Sequence, residues 1–170
     1  ITDLTGIEAF VNLKKLIVTQ HDIKQIDISK NTLLDTLYLG GNKLATIDIS
    51  KNRRLRLLDI QANELTSITG LSNLTSLKNL DLSWNYLETL TVDNELLEVL
   101  HVRNNNLKTI NINSAINLVN LLLTTNQLTS INISSNKLLR TIVVPDNKIE
   151  SIDLEKNSSL THLYVFDNSL

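Results

Sequence analysis

Leu118-Val-Asn-Leu121-Leu-Leu123-Thr-Thr-Asn126-Gln-Leu128-Thr-Ser-Ile131-Asn-Ile133-Ser-Ser-Asn136 holds two apolar alternations, each running out into an asparagine. With Leu118 as position one, Leu121 and Leu123 fall at positions four and six, two apart, which is the period of a strand with one buried face. Asn126 stands at position nine, where the chain leaves that strand. Its amide can donate and accept at once, so it can satisfy turn groups that would otherwise be buried unpaired. Ile131 and Ile133 repeat the alternation half a turn later and lead to Asn136.

Moving outward, the same unit recurs in register along the chain. Its first leucine is found at Leu13, Leu34, Leu55, Leu77, Leu97, Leu118, Leu139 and Leu160. The steps average 21 residues, with one of 22 after Leu55 and one of 20 after Leu77. Asn42, Asn63, Asn85, Asn105, Asn126, Asn147 and Asn168 occupy position nine, and His21 is the departure. Position eleven is always Ile or Leu. The chain therefore divides into a partial repeat over 1–12, seven repeats that begin at 13, 34, 55, 77, 97, 118 and 139, and a partial repeat over 160–170, all within a single domain. Identical strands one repeat apart must run parallel, giving a sheet of about eight short strands. A lone repeat buries too little to offset the entropy of ordering its backbone, so stability must come from stacking into a solenoid.

The second alternation (Ile26 and Ile28, Ile47 and Ile49, Leu90 and Val92, Ile110 and Ile112, Ile131 and Ile133, Ile152 and Leu154) reads as a short extended segment on an outer wall. Its β-branched residues disfavour helix. Four of these segments run on to Asn31, Asn52, Asn136 and Asn157. Ile68-Thr-Gly-Leu71-Ser-Asn-Leu74-Thr-Ser-Leu77 differs, with apolar residues every three, and Ile1 to Leu13 aligns with Leu65 to Leu77 position for position. A 3₁₀ turn is expected to replace the outer segment at those two places.

These residues resemble the bacterial leucine-rich repeat proteins over the whole chain. Leu34 to Asn52 and Leu118 to Asn136 resemble the nested 21-residue repeat class, and the two Thr-Gly units are similar to the 22-residue type of internalins and of phosphatase-regulator repeats. The resemblance implies an α/β-class horseshoe that is mostly β, with the parallel sheet on its concave face. It further implies a non-catalytic protein- or peptide-binding role, commonly on secreted or cell-surface bacterial proteins. Ile1 and Leu170 fall at the same phase of the repeat with no recognisable cap, so the chain reads as an internal section of a longer array. The alternative is a recognition or spacer segment of a larger surface protein whose enzymatic or carbohydrate-binding activity lies in other modules; a third reading is an intracellular regulator.

Composition bounds the chemistry. There are 34 Leu, 18 Ile and 22 Asn, six aromatics, no Cys and no Met. The absence of Cys removes disulfides, thiol nucleophiles and zinc–thiolate sites. A net charge of −2 and scattered basic residues do not indicate nucleic acid, and no apolar run is long enough for membrane insertion. No cofactor is expected.

With the framework fixed, specificity can sit only in outward positions of the strand. The fifth column reads Ile17, Tyr38, Asp59, Asp81, His101, Leu122, Val143, Tyr164, and the seventh contains Arg103 and Phe166. Phe10 is assigned to the repeated core; the other aromatics lie outside it. Aromatics and Arg dominate binding hot spots, so Tyr38, Asp59, Asp81, Trp84, Tyr86, His101 and Arg103 are the expected partner-binding patch. Leu122, Val143, Tyr164 and Phe166 form a second, apolar patch, through which an uncapped C-terminal end would self-associate. Asp59, Asp81 and His101 could hold a proton or an ion, yet an open sheet lacks the desolvation that tunes catalytic groups, so neither catalysis nor a metal site is expected.

Overall fold

In a computed structural model covering residues 1–170, ten three-residue strands and two 3₁₀ turns alternate with loops. The strands are β1 (Lys15–Ile17), β2 (Thr36–Tyr38), β3 (Leu57–Asp59), β4 (Asn79–Asp81), β5 (Thr89–Thr91), β6 (Val99–His101), β7 (Thr109–Asn111), β8 (Asn120–Leu122), β9 (Thr141–Val143) and β10 (His162–Tyr164). Eight of them form one parallel sheet in the order β1-β2-β3-β4-β6-β8-β9-β10. Pairing joins equal positions of successive repeats, as in Leu37↔Leu58 and Leu100↔Leu121. Strand alternation thus turns the fourth-position residue inward and the third and fifth outward.

One cluster of 38 buried apolar side chains runs the length of the solenoid, supplied by the framework columns. The asparagines close it. Asn42 Nδ2 donates to the carbonyls of Val18, one repeat back, and of its own Leu39, at 2.7 and 2.9 Å, while Oδ1 accepts from the N–H of Ile23. The same three-way bridge repeats down to Asn168. A second ladder lies on the other side. Asn31, Asn52, Asn136 and Asn157 each donate to two carbonyls of the preceding repeat.

Asn94 is a fifth member of that outer ladder, donating to the carbonyls of Leu71 and Leu74. The 20-residue step removes one residue between Val92 and Asn94 and so hides its phase. In the next repeat Ala115, fully buried, holds the place.

The outer wall is less regular than its alternation suggests. Only β5 and β7 pair there, with one isolated bridge between Asp48 and Thr69. The two expected 3₁₀ turns are present at Ile7–Ala9 and Leu71–Asn73, each entered through a left-handed glycine, Gly6 at φ 100° and Gly70 at φ 86°. Phe10 corrects the sequence reading: it is 61 % exposed, whereas Leu74, its counterpart in the aligned unit, is fully buried.

A regularity invisible in residue types runs along position eight. Gln20, Gly41, Ala62, Trp84, Asn104, Thr125, Asp146 and Asp167 all have positive φ, between 51° and 71°. The left-handed residue swings the chain out of the strand so that the next asparagine can turn inward. Glycine is the unstrained choice there and occurs once; elsewhere L side chains bear the strain.

Candidate partner-binding face

Register pairing sets the fifth column side by side. Ile17 pairs with Tyr38, Tyr38 with Asp59, Asp59 with Asp81, Asp81 with His101, His101 with Leu122, Leu122 with Val143, and Val143 with Tyr164. At one strand per roughly 4.8 Å the row is about 35 Å long. Tyr38, Asp59, Asp81 and His101 are brought together as neighbours, each half-buried against the sheet. Arg103 stands one column over, two residues further along the chain from His101, and forms no ion pair.

Trp84 and Tyr86 flank the buried Asn85 just beyond β4. Their side chains leave the strand at the turn and are 59 % and 56 % exposed. They belong to the turn that follows β4 and not to the fifth-column row. In the apolar patch Leu122 and Val143 are half-buried within the sheet, whereas Tyr164 and Phe166 on the last strand and its turn are exposed.

The acidic centre is wired locally. Asp59 Oδ1 accepts from the backbone N–H of Gln61 and its Oδ2 from the Gln61 side-chain amide, both at 3.2 Å. Asp81 Oδ1 accepts from the N–H of Ser83 at 2.9 Å, and its Oδ2 lies 3.4 Å from His101 Nδ1. Burial lifts the Asp59 carboxyl above its ordinary range, and the neighbouring Asp81 charge adds to this against the pull of the Gln61 hydrogen bonds. Burial pushes Asp81 the same way, but hydrogen bonds from His101 and Ser83 outweigh it and hold that carboxyl below its usual value. Two adjacent carboxyls therefore differ in proton affinity, because the hydrogen bonds to Asp81 outweigh its burial and those to Asp59 do not.

Tyr38, Asp59, Asp81 and His101 also line a shallow depression of about 240 Å³, whose other walls are Leu57, Leu58, Asn79, Leu80 and Val99. The third column thus supplies residues that the fifth-column reading did not single out. Leu57 and Val99 matter through side-chain size, and a repeat pattern that marks position three only as outward carries no signal for it. Gly40 leaves the space on the row's near side: a Cβ there would stand 3.2 Å from Gln61 Cγ and 3.3 Å from Asp59 Oδ1. No set of three His, Asp or Glu side chains converges in a way that could hold a metal ion. On the outer wall, Asp27, Asp48, Asn111, Asn132 and Asp153 each accept the N–H two residues on, which accounts for that polar column as turn chemistry.

Comparison with solved structures fits this geometry. A leucine-rich repeat protein of Leptospira interrogans superposes over 98 % of the chain with a TM-score of 0.72 and 25 % identity. Internalin C2 of Listeria monocytogenes superposes over 95 % with a TM-score of 0.79 and 22 % identity. The chain has the leucine-rich repeat fold. A plant peptide hormone receptor, RGFR1 in complex with RGF2, matches the same array over 95 % of its length, with a TM-score of 0.75 and 21 % identity. This leucine-rich repeat array spans 58 %, 75 % and 29 % of those three proteins respectively. No family model and no curated protein matches the sequence. No helix of the array is long and apolar enough to cross a membrane.

Proposed function

We propose that the chain is a non-catalytic module that binds a protein or an extended peptide on its concave sheet face, through Tyr38, Asp59, Asp81, Trp84, Tyr86, His101 and Arg103. The observation that carries this reading is the continuous fifth-column register, which presents aromatic, acidic, basic and then apolar side chains in one row too long for a metabolite. The exposed Trp84 and Tyr86 at its edge are residue types suited to hot spots. Support also comes from the plant receptor that shares the fold and was solved with RGF2. An open, water-washed sheet with no convergent metal-ligand set favours binding over catalysis. The two asparagine ladders favour the nested 21-residue class.

The greater length of the Leptospira and Listeria proteins favours a second reading, in which this array is the recognition or spacer part of a larger secreted or surface protein of a bacterium. Tyr164 and Phe166 would then face a neighbouring module or a second copy.

Affinity capture from the native environment, run with the wild-type chain and with Trp84→Ala/Tyr86→Ala, tests the main reading. Loss of the captured partner with thermal unfolding nearly unchanged is the expected result. Undiminished capture by the double variant removes these residues from the site, and a matching loss of stability assigns them to packing instead.

A further inference from the structure

The sheet face is banded by charge and apolarity, and the banding specifies what it fits. Resting on the peptide-binding reading above, we infer that the face recognises an extended segment carrying one lysine or arginine, seated between Asp59 and Asp81, and an apolar side chain four to five residues away, seated over Leu122 and Val143.

The depression beside Asp59 and Asp81 is small and acidic. At about 240 Å³ it falls below the size of ordinary small-molecule sites and is of a size for one long side chain. Its walls, Tyr38, Leu57 and Val99, offer apolar surface to a methylene stem, while the two carboxylates stand where the charged end would lie. The basic groups of the face are Lys15, His101, Arg103 and His162, and none is in ion-pair contact with Asp59. His101 is already engaged with Asp81. Asp59 Oδ2 is held only by the exchangeable amide of Gln61 at 3.2 Å. Burial and the Asp81 charge both disfavour ionised Asp59, and an incoming cation relieves the second of these while displacing only Gln61.

From midway between β3 and β4 to β8 is two and a half strand spacings, and to β9 three and a half, or roughly 12 and 17 Å at about 4.8 Å per strand. An extended peptide crossing the strands advances roughly 3.3 Å per residue, so the apolar band lies about four to five residues from the cation. Leu122 and Val143 are half-buried, flanked by Pro145 and then by the exposed Tyr164, with no charged residue in the fifth column between His101 and Tyr164.

The test uses the whole 170-residue chain and a pool of acetylated, amidated twelve-residue peptides randomised at every position. Enriched peptides should contain Lys or Arg with an aliphatic or aromatic residue four or five places away. Replacing that lysine by norleucine should weaken binding to the wild-type chain about tenfold, and Asp59→Asn should do the same for the lysine peptide while leaving the norleucine peptide unaffected. Val143→Asp should weaken both peptides. Enrichment of acidic peptides, or of apolar peptides with no preference for a cation, overturns the inference and leaves a peptide-binding face standing. No enrichment over the unselected pool overturns both.

Discussion

Asn126 reaches back a full repeat to Val102: its Nδ2 donates to the Val102 carbonyl at 2.9 Å and to its own Leu123 carbonyl at 3.0 Å, while Oδ1 accepts the N–H of Leu107 at 3.0 Å. One side chain therefore satisfies three buried backbone groups. Asn126→Ala should destabilise the chain by about 1–3 kcal/mol through orphaned polar groups, lowering the melting temperature by several degrees in a thermal scan. A change near zero, as for a surface residue, would remove the ladder from the account of stability.

Gly70 and Gly6 hold the same place in two aligned units yet should respond differently to alanine. Both have positive φ, but a Cβ on Gly70 would lie 2.5 Å from backbone atoms of Ser50, whereas a Cβ on Gly6 meets nothing within 4 Å. Gly6→Ala should cost only the left-handed strain of about 1–2 kcal/mol. Gly70→Ala adds a collision with backbone and should cost distinctly more, about 3 kcal/mol or above. Denaturant melts of the two variants compare them directly, and equal losses would contradict the close approach.

Thr125 is a β-branched residue at φ 55°. Its hydroxyl has one long bond, 3.4 Å to Asp146, on the exposed surface, so little is lost with it. Thr125→Asn, which keeps a short polar group but tolerates the left-handed region, should stabilise by up to about 1 kcal/mol. For a chain of this size that is about 2–4 °C in melting temperature.

Asp59 and Asp81 should leave opposite marks on stability against pH. The Asp81 carboxyl is depressed on folding, so its contribution is complete above the ordinary value of 3.8 and is lost as pH falls through the folded value. The Asp59 carboxyl is raised, so the folded state binds that proton more tightly and stability declines as pH rises from 3.8 through the folded value. Asp59→Asn should therefore raise the melting temperature at pH 7 and leave it nearly unchanged at pH 3. Asp81→Asn should lower it at pH 7, and urea melts at the two pH values would expose a reversal of either sign.

What could be read from residues alone was whatever depends on a fixed side-chain type. The Leu37 and Leu39 alternation announced a strand, and Asn42 announced a buried amide, because no other residue does either job as well. The fifth-column row followed, since strand pairing makes equal positions adjacent. Position eight escaped because Gln20, Ala62, Trp84, Thr125 and Asp146 share a backbone angle and no chemistry. Asn94 was masked by a one-residue shortening. Phe10 was misassigned because it shares the phase of the buried Leu74, and phase alone does not set burial at the end of a stack. The depression was not legible because it depends on how far Leu57 and Val99 stand above the sheet.

The ladder also gives the array a polarity in time. Each asparagine closes the repeat before it, so a repeat is sealed only once its successor has docked, and Val144 and Ile149 wait on Asn168. Assembly and opening are then ordered events, like the teeth of a fastener. Loosening at the Asn168 end frees groups in the repeat before it and invites the next loss, and parting of Ile1 to Leu13 strips the buried Asn31 amide of the Ile7 and Phe10 carbonyls. Amide exchange should accordingly be slowest in the middle repeats and quicken toward both β1 and β10.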